Sequence, residues 1–272
     1  MSFAEYETSL QNGQPVRLYL FQRGPMKWGF TTADRNINHQ TINFKSIEGG
    51  ITDDGIRQTG DAQADTLNIT VPAQTDIAQM YRVNAPGQSI SVTVFDLHYG
   101  DNGFLVVWMG VVAGVKFKST VTAEIQCQTL NITLERTGLR KTWSRTCAHS
   151  LYDNACRAQR SDYRVDSIID RKDGVSIGVA AAQGQVDGYY SGGYVEWTGP
   201  YGLEQRGIEL HVKDLLYIFE GAFELEPGQS VAIYPGCDRT MDTCQSKFSN
   251  ILNYGGCPHM PGKSPFDGQP VF

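Results

Sequence analysis

Five of the six cysteines lie in the second half of this 272-residue chain, and their spacing limits the chemistry that they can support. Cys147 and Cys156 form a C-x8-C pair in "CAHSLYDNAC", and Cys237 and Cys244 form a C-x6-C pair in "GCDRTMDTC". A fifth, Cys257, follows in "YGGCPHMPG". Two pairs that are separated by a long insertion rich in strand-forming residues can fold together into one pocket of four thiolates.

Four kinds of chemistry compete for these thiols. Synthesis in a reducing cytoplasm disfavours structural disulfides. Zinc sites usually space their paired ligands by two to four residues, so gaps of eight and six are atypical. An iron–sulfur cluster accepts wider spacing, because a larger inorganic body separates the sulfurs. A cysteine protease needs a thiolate beside a histidine, and Cys257 and His259 are neighbours in a proline-locked loop, which rarely gives that geometry. Spacing alone leaves a metal site, core thiols or disulfides, and a catalytic thiol open.

Composition excludes several other classes of function. The net charge is −6, which disfavours a general phosphate-binding surface, although an acidic channel wall that repels DNA is compatible with it. The start "MSFAEYETSL" lacks a basic region followed by an apolar core, so no secretory signal is visible. The longest apolar run, 104–115, is too short to span a bilayer. We therefore expect a protein made in a reducing cytoplasm with no membrane span.

The elements that position the cysteines are predicted to be mainly β. Apolar residues alternate with polar ones in "PVRLYLF", "TLNITV" and "QSISVTVFDL", and turn signals such as "QNGQP" and "NAPGQ" separate the runs. This pattern predicts an antiparallel β-barrel or sandwich in a first domain, 1–143. In "TAEIQCQT" Cys127 shares a face with Ala123 and Ile125, which predicts a buried core thiol. The segment 75–83 is predicted as a short helix with a Thr or Asp cap.

A second domain, 144–272, is predicted to be small, β-rich and closed by a terminal helix. Its alternation places Ile208, Leu210 and Val212 on one face and Glu209, His211 and Lys213 on the other. The segment 188–202 is rich in Gly and Tyr and predicts a hairpin. Near the end, Asp238 is placed to cap a helix whose apolar stripe consists of Met241, Cys244, Phe248 and Ile251.

Other polar and aromatic candidates are interpreted as structural. We interpret His149 and His259 as surface or turn histidines rather than metal ligands. Asp53 and Asp54 precede a glycine and are typical of a turn. The aromatic group could bind carbohydrate or a protein, but a structural hairpin is favoured; its members are Tyr189, Tyr190, Tyr194, Trp197 and Tyr201.

Three stretches resemble the tail-hub family of long-tailed bacteriophages and gene-transfer agents, a family of baseplate hub or minor tail proteins. The run "GCDRTMDTCQSKFSNILNYGGCPHMPG" is similar to that family's C-terminal signature, and "CAHSLYDNAC" resembles its paired C-x8-C element. The opening, with "YETSLQNGQPVRLYLFQ" and "WGFTTAD", resembles the family's start. The chain departs at Tyr152, where the family usually has glycine, and at Cys257, where it more often has phenylalanine.

This resemblance implies a structural virion protein that is not an enzyme. It implies a 4Fe–4S cluster, with zinc as the alternative, on Cys147, Cys156, Cys237 and Cys244, and an apolar role for Cys257. It also implies a homotrimer at the tail tip, which contacts the distal tail protein and the central fibre or tip proteins. Genomic DNA or the tape-measure protein would pass its channel without sequence-specific binding. Two hypotheses remain beside this one, a tail-associated cysteine peptidase and a zinc-stabilised module that binds the host surface.

Overall fold

The computed structural model describes residues 3–9, 13–39, 41–57, 59, 65–99, 103–133, 138 and 142–260. The chain divides into two compact units, Met1–Arg136 and Thr137–Phe272. The domain boundary predicted from the sequence, between residues 143 and 144, stays a prediction, because most of 134–141 lies outside the described residues. None of the helices in the described residues is long and apolar enough to cross a membrane.

The first unit is built on one nine-stranded sheet, and the strand order is β3-β4-β2-β1-β7-β8-β9-β6-β5. Among the paired strands only β2 and β4 run parallel. The strands are β1 Pro15–Arg23, β2 Met26–Thr31, β3 Ile37–His39, β4 Ile42–Ser46, β5 Thr52–Asp53, β6 Leu67–Pro72, β7 Ser91–His98, β8 Leu105–Phe117 and β9 Thr122–Thr129. The helices are α1 Phe3–Thr8, α2 Asp76–Met80 and a 3₁₀ turn, Leu130–Thr133.

The alternation seen in the sequence is confirmed in the paired strands β6 and β9. Leu67, Ile69 and Val71 of β6 are buried, and Ala123, Ile125 and Cys127 of β9 lie opposite them. Cys127 is 1% exposed and its burial raises the pKa of the thiol, so that it stays protonated and packs as a small apolar side chain. The predicted short helix is also present as α2, which follows Thr75 and buries Ile77 and Met80.

The second unit closes a six-stranded barrel in the order β10-β11-β14-β13-β12-β15. Its strands are β10 Val165–Asp173, β11 Ser176–Val179, β12 Tyr194–Gly199, β13 Gly202–Val212, β14 Leu215–Ile218 and β15 Ser230–Tyr234. One α-helix, α3 Met241–Ser246, follows, and 3₁₀ turns form at Arg160–Tyr163, Ala180–Ala182 and Ile251–Asn253. The mainly β class is confirmed, but the closed barrel lies in the second unit and an extended sheet forms the first. Alternation reveals which face of a strand is buried, whereas closure depends on which strands pair.

An irregularity in the barrel overturns one prediction about side-chain faces. The pairing of β13 with β14 shifts register between Ile208 and Leu210. Such a bulge adds a residue and reverses the direction of the side chains that follow. As a result Leu210 is exposed, whereas His211, predicted on the polar face, is fully buried. The His211 Nε2 lies 2.8 Å from the Lys213 carbonyl oxygen, which accepts its hydrogen.

A partly buried ion-pair cluster gives Asp53 a second role beside the predicted turn, in which its carboxylate accepts from the Gly55 amide at 2.9 Å. Asp53 lies in β5, and its side chain is 6% exposed. It accepts hydrogen bonds from the Arg17 guanidinium at 2.9 Å and from the Tyr19 hydroxyl, while Arg17 also pairs with Asp96 at 2.7 Å. Burial opposes the ionisation of Asp53, but these bonds and the Gly55 amide outweigh it and lower the pKa of Asp53. Arg17 of β1 is thereby linked to β5 through Asp53 and to β7 through Asp96.

We expect the replacement Asp53→Asn to lower the free energy of unfolding by about 2 kcal/mol at neutral pH, because a buried acceptor for Arg17 loses its charge. The pKa of Asp53 is lower in the folded chain than in the unfolded one, so the carboxylate stabilises the fold above pH ~4 and this contribution disappears as the pH falls through the folded value. The free energy of unfolding of the wild type, measured with urea, should therefore decrease below pH ~4 more steeply than that of the variant.

The exposed Glu48 offers a matched control, since Glu48→Gln makes the same change from carboxylate to amide at the surface. It should change stability by less than about 0.5 kcal/mol. Equal effects of the two substitutions would contradict the assignment of Asp53 as the residue that joins these strands.

Candidate functional site

All four predicted site cysteines line one cavity of about 140 Å³ in the second unit. The cavity lies between the segment that holds Cys147 and Cys156 and the segment that holds Cys237 and Cys244. His149, Asn250 and Asn253 also line it. The structure therefore brings together the two cysteine pairs that the sequence singled out, although the pairs are far apart in the chain.

The barrel explains how the two pairs meet. β10 begins at Val165, shortly after Cys156, and β15 ends at Tyr234, shortly before Cys237. These two strands are antiparallel neighbours, and Val165 lies opposite Ile233. The start of β10 and the end of β15 therefore lie at the same end of the barrel, and the chain enters and leaves the barrel beside the cavity.

Asp153 organises the loop that carries the first pair. Its carboxylate accepts hydrogen bonds from the backbone N–H groups of Cys156 at 2.6 Å, Ala155 at 2.9 Å and Ser150 at 3.2 Å. The bond from the Cys156 amide is the largest of the effects that lower the pKa of Asp153, so the group stays ionised. This loop is therefore held by local hydrogen bonds around one carboxylate.

Tyr152 occupies a backbone conformation that favours glycine. Its φ is 67°, in the left-handed region, which costs an L-residue roughly 1–2 kcal/mol. Its ring packs among four other aromatic rings at centroid distances of 6.1–6.3 Å, namely Tyr163, Tyr194, Tyr234 and Phe248. Its hydroxyl donates to the Pro235 carbonyl oxygen at 3.2 Å. The loop keeps the conformation of a glycine-bearing loop, and the aromatic contacts offset the strain.

Gly236 permits a close backbone approach just before Cys237. A Cβ atom at this position would lie 1.8 Å from the Ser191 carbonyl oxygen and 2.4 Å from the Gly193 nitrogen. No side chain fits there, so the turn after β15 lies directly against the turn before β12. This contact fixes the position of Cys237 relative to the end of β15.

The helix that carries Cys244 is shorter than predicted. α3 begins at Met241, and its N-cap is Thr240, whose hydroxyl accepts from the Thr243 amide at 3.3 Å. Asp238, the predicted cap, lies two residues before Thr240 and accepts from the Thr240 amide at 2.9 Å. Ser249, with φ 48°, interrupts the helical path, so that Phe248 lies beyond α3 and Ile251 belongs to a 3₁₀ turn. The predicted apolar stripe is therefore divided: Met241 and Cys244 lie in α3, whereas Phe248 and Ile251 lie after it.

Three of the four sulfurs receive hydrogen bonds. The Arg239 amide donates to Cys237 Sγ at 3.3 Å, and the Gly255 amide donates to Cys147 Sγ at 3.3 Å. The side-chain amide of Asn250 lies 3.6 Å from Cys156 Sγ and donates to it. Donors directed at sulfur stabilise a negatively charged thiolate.

The charge state of the thiols depends on what binds them. Burial raises the pKa of Cys237 and of Cys244, and the other thiols of the cavity raise it further. The bare thiols of Cys237 and Cys244 are therefore protonated at neutral pH, and a cationic group that binds them must displace their protons. Lys247 adds positive charge nearby, because its ammonium group donates to the Gly236 carbonyl oxygen at 2.6 Å. Burial lowers the pKa of Lys247 to about 8.

The types of donor suit a thiolate-bound cluster. Among the described residues no group of three or more His, Cys, Asp or Glu side chains is placed so that it could hold a metal ion. The four thiols line one cavity of about 140 Å³. Four cysteine thiolates are the usual ligands of an iron–sulfur cluster.

Sequence reasoning missed several residues of the site. His149, predicted to lie at the surface or in a turn, is half-buried at a bend. It also lines the cavity, and its Nδ1 lies 3.2 Å from the Asn253 carbonyl oxygen. Because a carbonyl only accepts, His149 Nδ1 carries the hydrogen. Asn250 belongs to the motif "KFSN", which marked the region but did not indicate a role. Cys257 lies on the neighbouring segment, where its amide donates to the Ser144 carbonyl oxygen at 2.8 Å.

Two families match different parts of the chain. Residues 18–159 match a family described as baseplate hub protein, N-terminal attachment domain. Residues 188–264 match a family described as phage conserved hypothetical protein BR0599. The first match contains Cys147 and Cys156 and the second contains Cys237 and Cys244, so each family covers one half of the cavity.

Two individual proteins are similar over different extents. An uncharacterized protein of Xylella fastidiosa (strain 9a5c) is 27% identical over 139 residues, which cover 47% of this chain. The match spans only 28% of that relative. A chain in the virion of a native gene transfer agent particle is 21% identical, with a TM-score of 0.83 over 99% of this chain and 96% of that chain. That likeness shows that the two chains share a fold.

We expect Gly236→Ala to destabilise the second unit by about 3 kcal/mol or more, because a methyl group would meet backbone atoms that cannot move aside. Gly184→Ala is the matched control, since an added Cβ there would meet no atom within 4 Å. Thermal unfolding followed by circular dichroism measures both. A Gly236→Ala variant that melts with the wild type would contradict the close approach.

Substitutions at Tyr152 separate backbone strain from ring packing. Tyr152→Ala and Tyr152→Gly both remove the ring, but only glycine relieves the strain of a positive φ, so we expect the glycine variant to be about 1 kcal/mol more stable than the alanine variant. Both should be less stable than Tyr152→Phe, which loses only the bond to Pro235. Urea unfolding gives the order, and equal stability of the Ala and Gly variants would contradict a strained Tyr152.

Proposed function

This chain belongs to the baseplate hub family of phage proteins, and on that premise we propose that it is a structural hub whose second unit is stabilised by a 4Fe–4S cluster. As a hub protein it is part of the phage tail. In the proposed role it joins the tail tube to the central fibre at the distal end of the tail. The observation that carries the proposal is the convergence of the four cysteines, two from each matched family segment, on one cavity.

Cys147, Cys156, Cys237 and Cys244 would hold the cluster, each through a thiolate. When bound, the group supplies a covalent cross-link between the loop before β10 and the segment after β15, and it requires no open coordination position. Eighty residues lie between Cys156 and Cys237. On the entropy scale used for disulfides, a cross-link that closes a loop of this length stabilises the fold by about 4.5 kcal/mol.

The residues of the cavity wall prepare it for thiolates. The Arg239, Gly255 and Asn250 donors direct hydrogen at three of the sulfurs, and Lys247 supplies positive charge beside the turn that holds Cys237. These groups favour ionised sulfur, whereas burial disfavours it. Binding of a cationic group would shift this balance and release the thiol protons.

The proposed assembly is a homotrimer that contacts the distal tail protein on one side and the central fibre or tip proteins on the other. The net charge of −6 suits a channel wall through which genomic DNA or the tape-measure protein passes without binding in a sequence-specific manner. This role needs no catalytic residue. The aromatic residues Tyr190 and Trp197 are buried in the barrel core, which supports a structural role for them rather than a role as a carbohydrate-binding surface.

We expect protein purified without oxygen to be brown and to contain about four iron and four acid-labile sulfide per chain. Visible absorbance, iron and sulfide assays and zinc analysis on the same sample measure this. Light scattering should give about 90 kDa, three times the 30.1 kDa of one chain. Zinc in equal moles with no sulfide would instead support a zinc-stabilised module. A colourless protein that lacks both metals after anaerobic expression with iron would overturn the cluster.

The cysteine variants test the ligand set within the same prediction. Each of Cys147→Ser, Cys156→Ser, Cys237→Ser and Cys244→Ser should lose most of the iron and lower the melting temperature of the second unit. Cys127→Ser and Cys257→Ser are controls, because Cys127 lies in the other unit and Cys257 is not among the residues that line the cavity. Loss of iron in Cys257→Ser would show that the ligand set is wrong.

A further inference from the structure

We propose that Asn250 is a positioning residue that raises the reduction potential of the bound iron–sulfur group through its hydrogen bond to the Cys156 sulfur. The inference rests on the proposed function, because it concerns the same four thiols. It adds that the site is tuned for electron uptake as well as for cross-linking.

The orientation of the Asn250 side chain is determined by its partners. Its Nδ2 lies 2.5 Å from the Cys156 carbonyl oxygen and 3.6 Å from Cys156 Sγ. Its Oδ1 accepts from the Asn253 Nδ2 at 2.6 Å. Because the Cys156 carbonyl can only accept, the nitrogen and not the oxygen of Asn250 faces Cys156. The amide hydrogens are therefore directed toward this cysteine.

Asn250 also contacts the second cysteine pair. Its backbone amide donates to the Cys244 carbonyl oxygen at 3.0 Å. One residue thus contacts Cys156 from the first pair and Cys244 from the second, and it does so at the turn where the chain leaves α3. Asn250 is therefore placed to hold the two cysteine pairs in a fixed position relative to each other.

The kind of donor distinguishes Asn250 from the other two. Arg239 and Gly255 donate to sulfur through backbone amides, which no side-chain substitution removes. Asn250 donates through a side chain, so the sequence can change this contact alone. Hydrogen bonds to the cysteine sulfurs, together with net charge and solvent exposure, set the potential of an iron–sulfur group.

The direction of the effect follows from charge. In the titration an external low-potential donor would supply one electron to the bound group, with no bond broken and no proton moved. The added negative charge would be shared with the thiolate sulfurs, and an N–H donor would stabilise it. Removing the Asn250 donor should therefore make the reduced state harder to form.

The experiment compares Asn250→Leu with the wild type in an anaerobic redox titration of the full chain, followed by visible absorbance. We expect a lower potential, so that at a fixed ambient potential the ratio of reduced to oxidised group falls about tenfold, which is 59 mV for a one-electron couple. Asn250→Gln keeps an amide donor and should restore part of the shift. Asn43→Leu makes the same substitution at an exposed asparagine of the first unit and should leave the potential near that of the wild type.

The outcomes separate this inference from the proposed function. A wild-type protein without iron overturns the proposed function itself. An iron-loaded Asn250→Leu variant with the wild-type potential overturns only the role of Asn250. If Asn250→Leu does not retain the group, wild-type protein labelled with ¹⁵N in asparagine side chains decides the question. Pulsed electron paramagnetic resonance of the reduced state should then show a ¹⁵N coupling, and its absence would overturn the inference.

Discussion

In the second unit the chain must return to the cavity after the eighty residues that lie between Cys156 and Cys237, and most of the structure of this unit depends on that requirement. The barrel meets this requirement by pairing its first and last strands. Because β10 and β15 are antiparallel, β10 begins at the end of the barrel where β15 ends. The cysteine pairs are attached just outside these ends and need only short connections to reach the cavity. Closure of the barrel therefore also brings the two cysteine pairs to the same cavity.

The loops around the cavity show how local strain and hydrogen bonding support that arrangement. Tyr152 holds a conformation suited to glycine because its ring lies among four aromatic neighbours. At Gly236 the absence of a side chain allows two turns to lie in direct contact. Asp153 and Asp238 then satisfy the backbone amides near Cys156 and α3. Each pair of thiols is thus held by a turn with its own carboxylate.

The sequence predicted the parts of this structure that depend on local pattern. Alternation placed the strands β6 and β9 and the burial of Cys127, and cysteine spacing identified both pairs. It failed where pairing decides the outcome. The bulge in β13 moved His211 into the core, the buried partner of Arg17 at Asp53 is distant in the chain, and the role of Asn250 depends on Cys156. The register of strand pairs that are distant in the chain, and the position of the cavity, cannot be deduced from the pattern of neighbouring residues.

The common end of β10 and β15 has a consequence for how this chain can diverge. Because the barrel is entered and left through two adjacent strand ends, it has the geometry of an inserted module. Insertions, deletions or exchange of the loops at its far end can alter a surface without moving the thiols. Evolution can therefore diversify what the barrel presents to other proteins while the segments before β10 and after β15 keep the four thiols together.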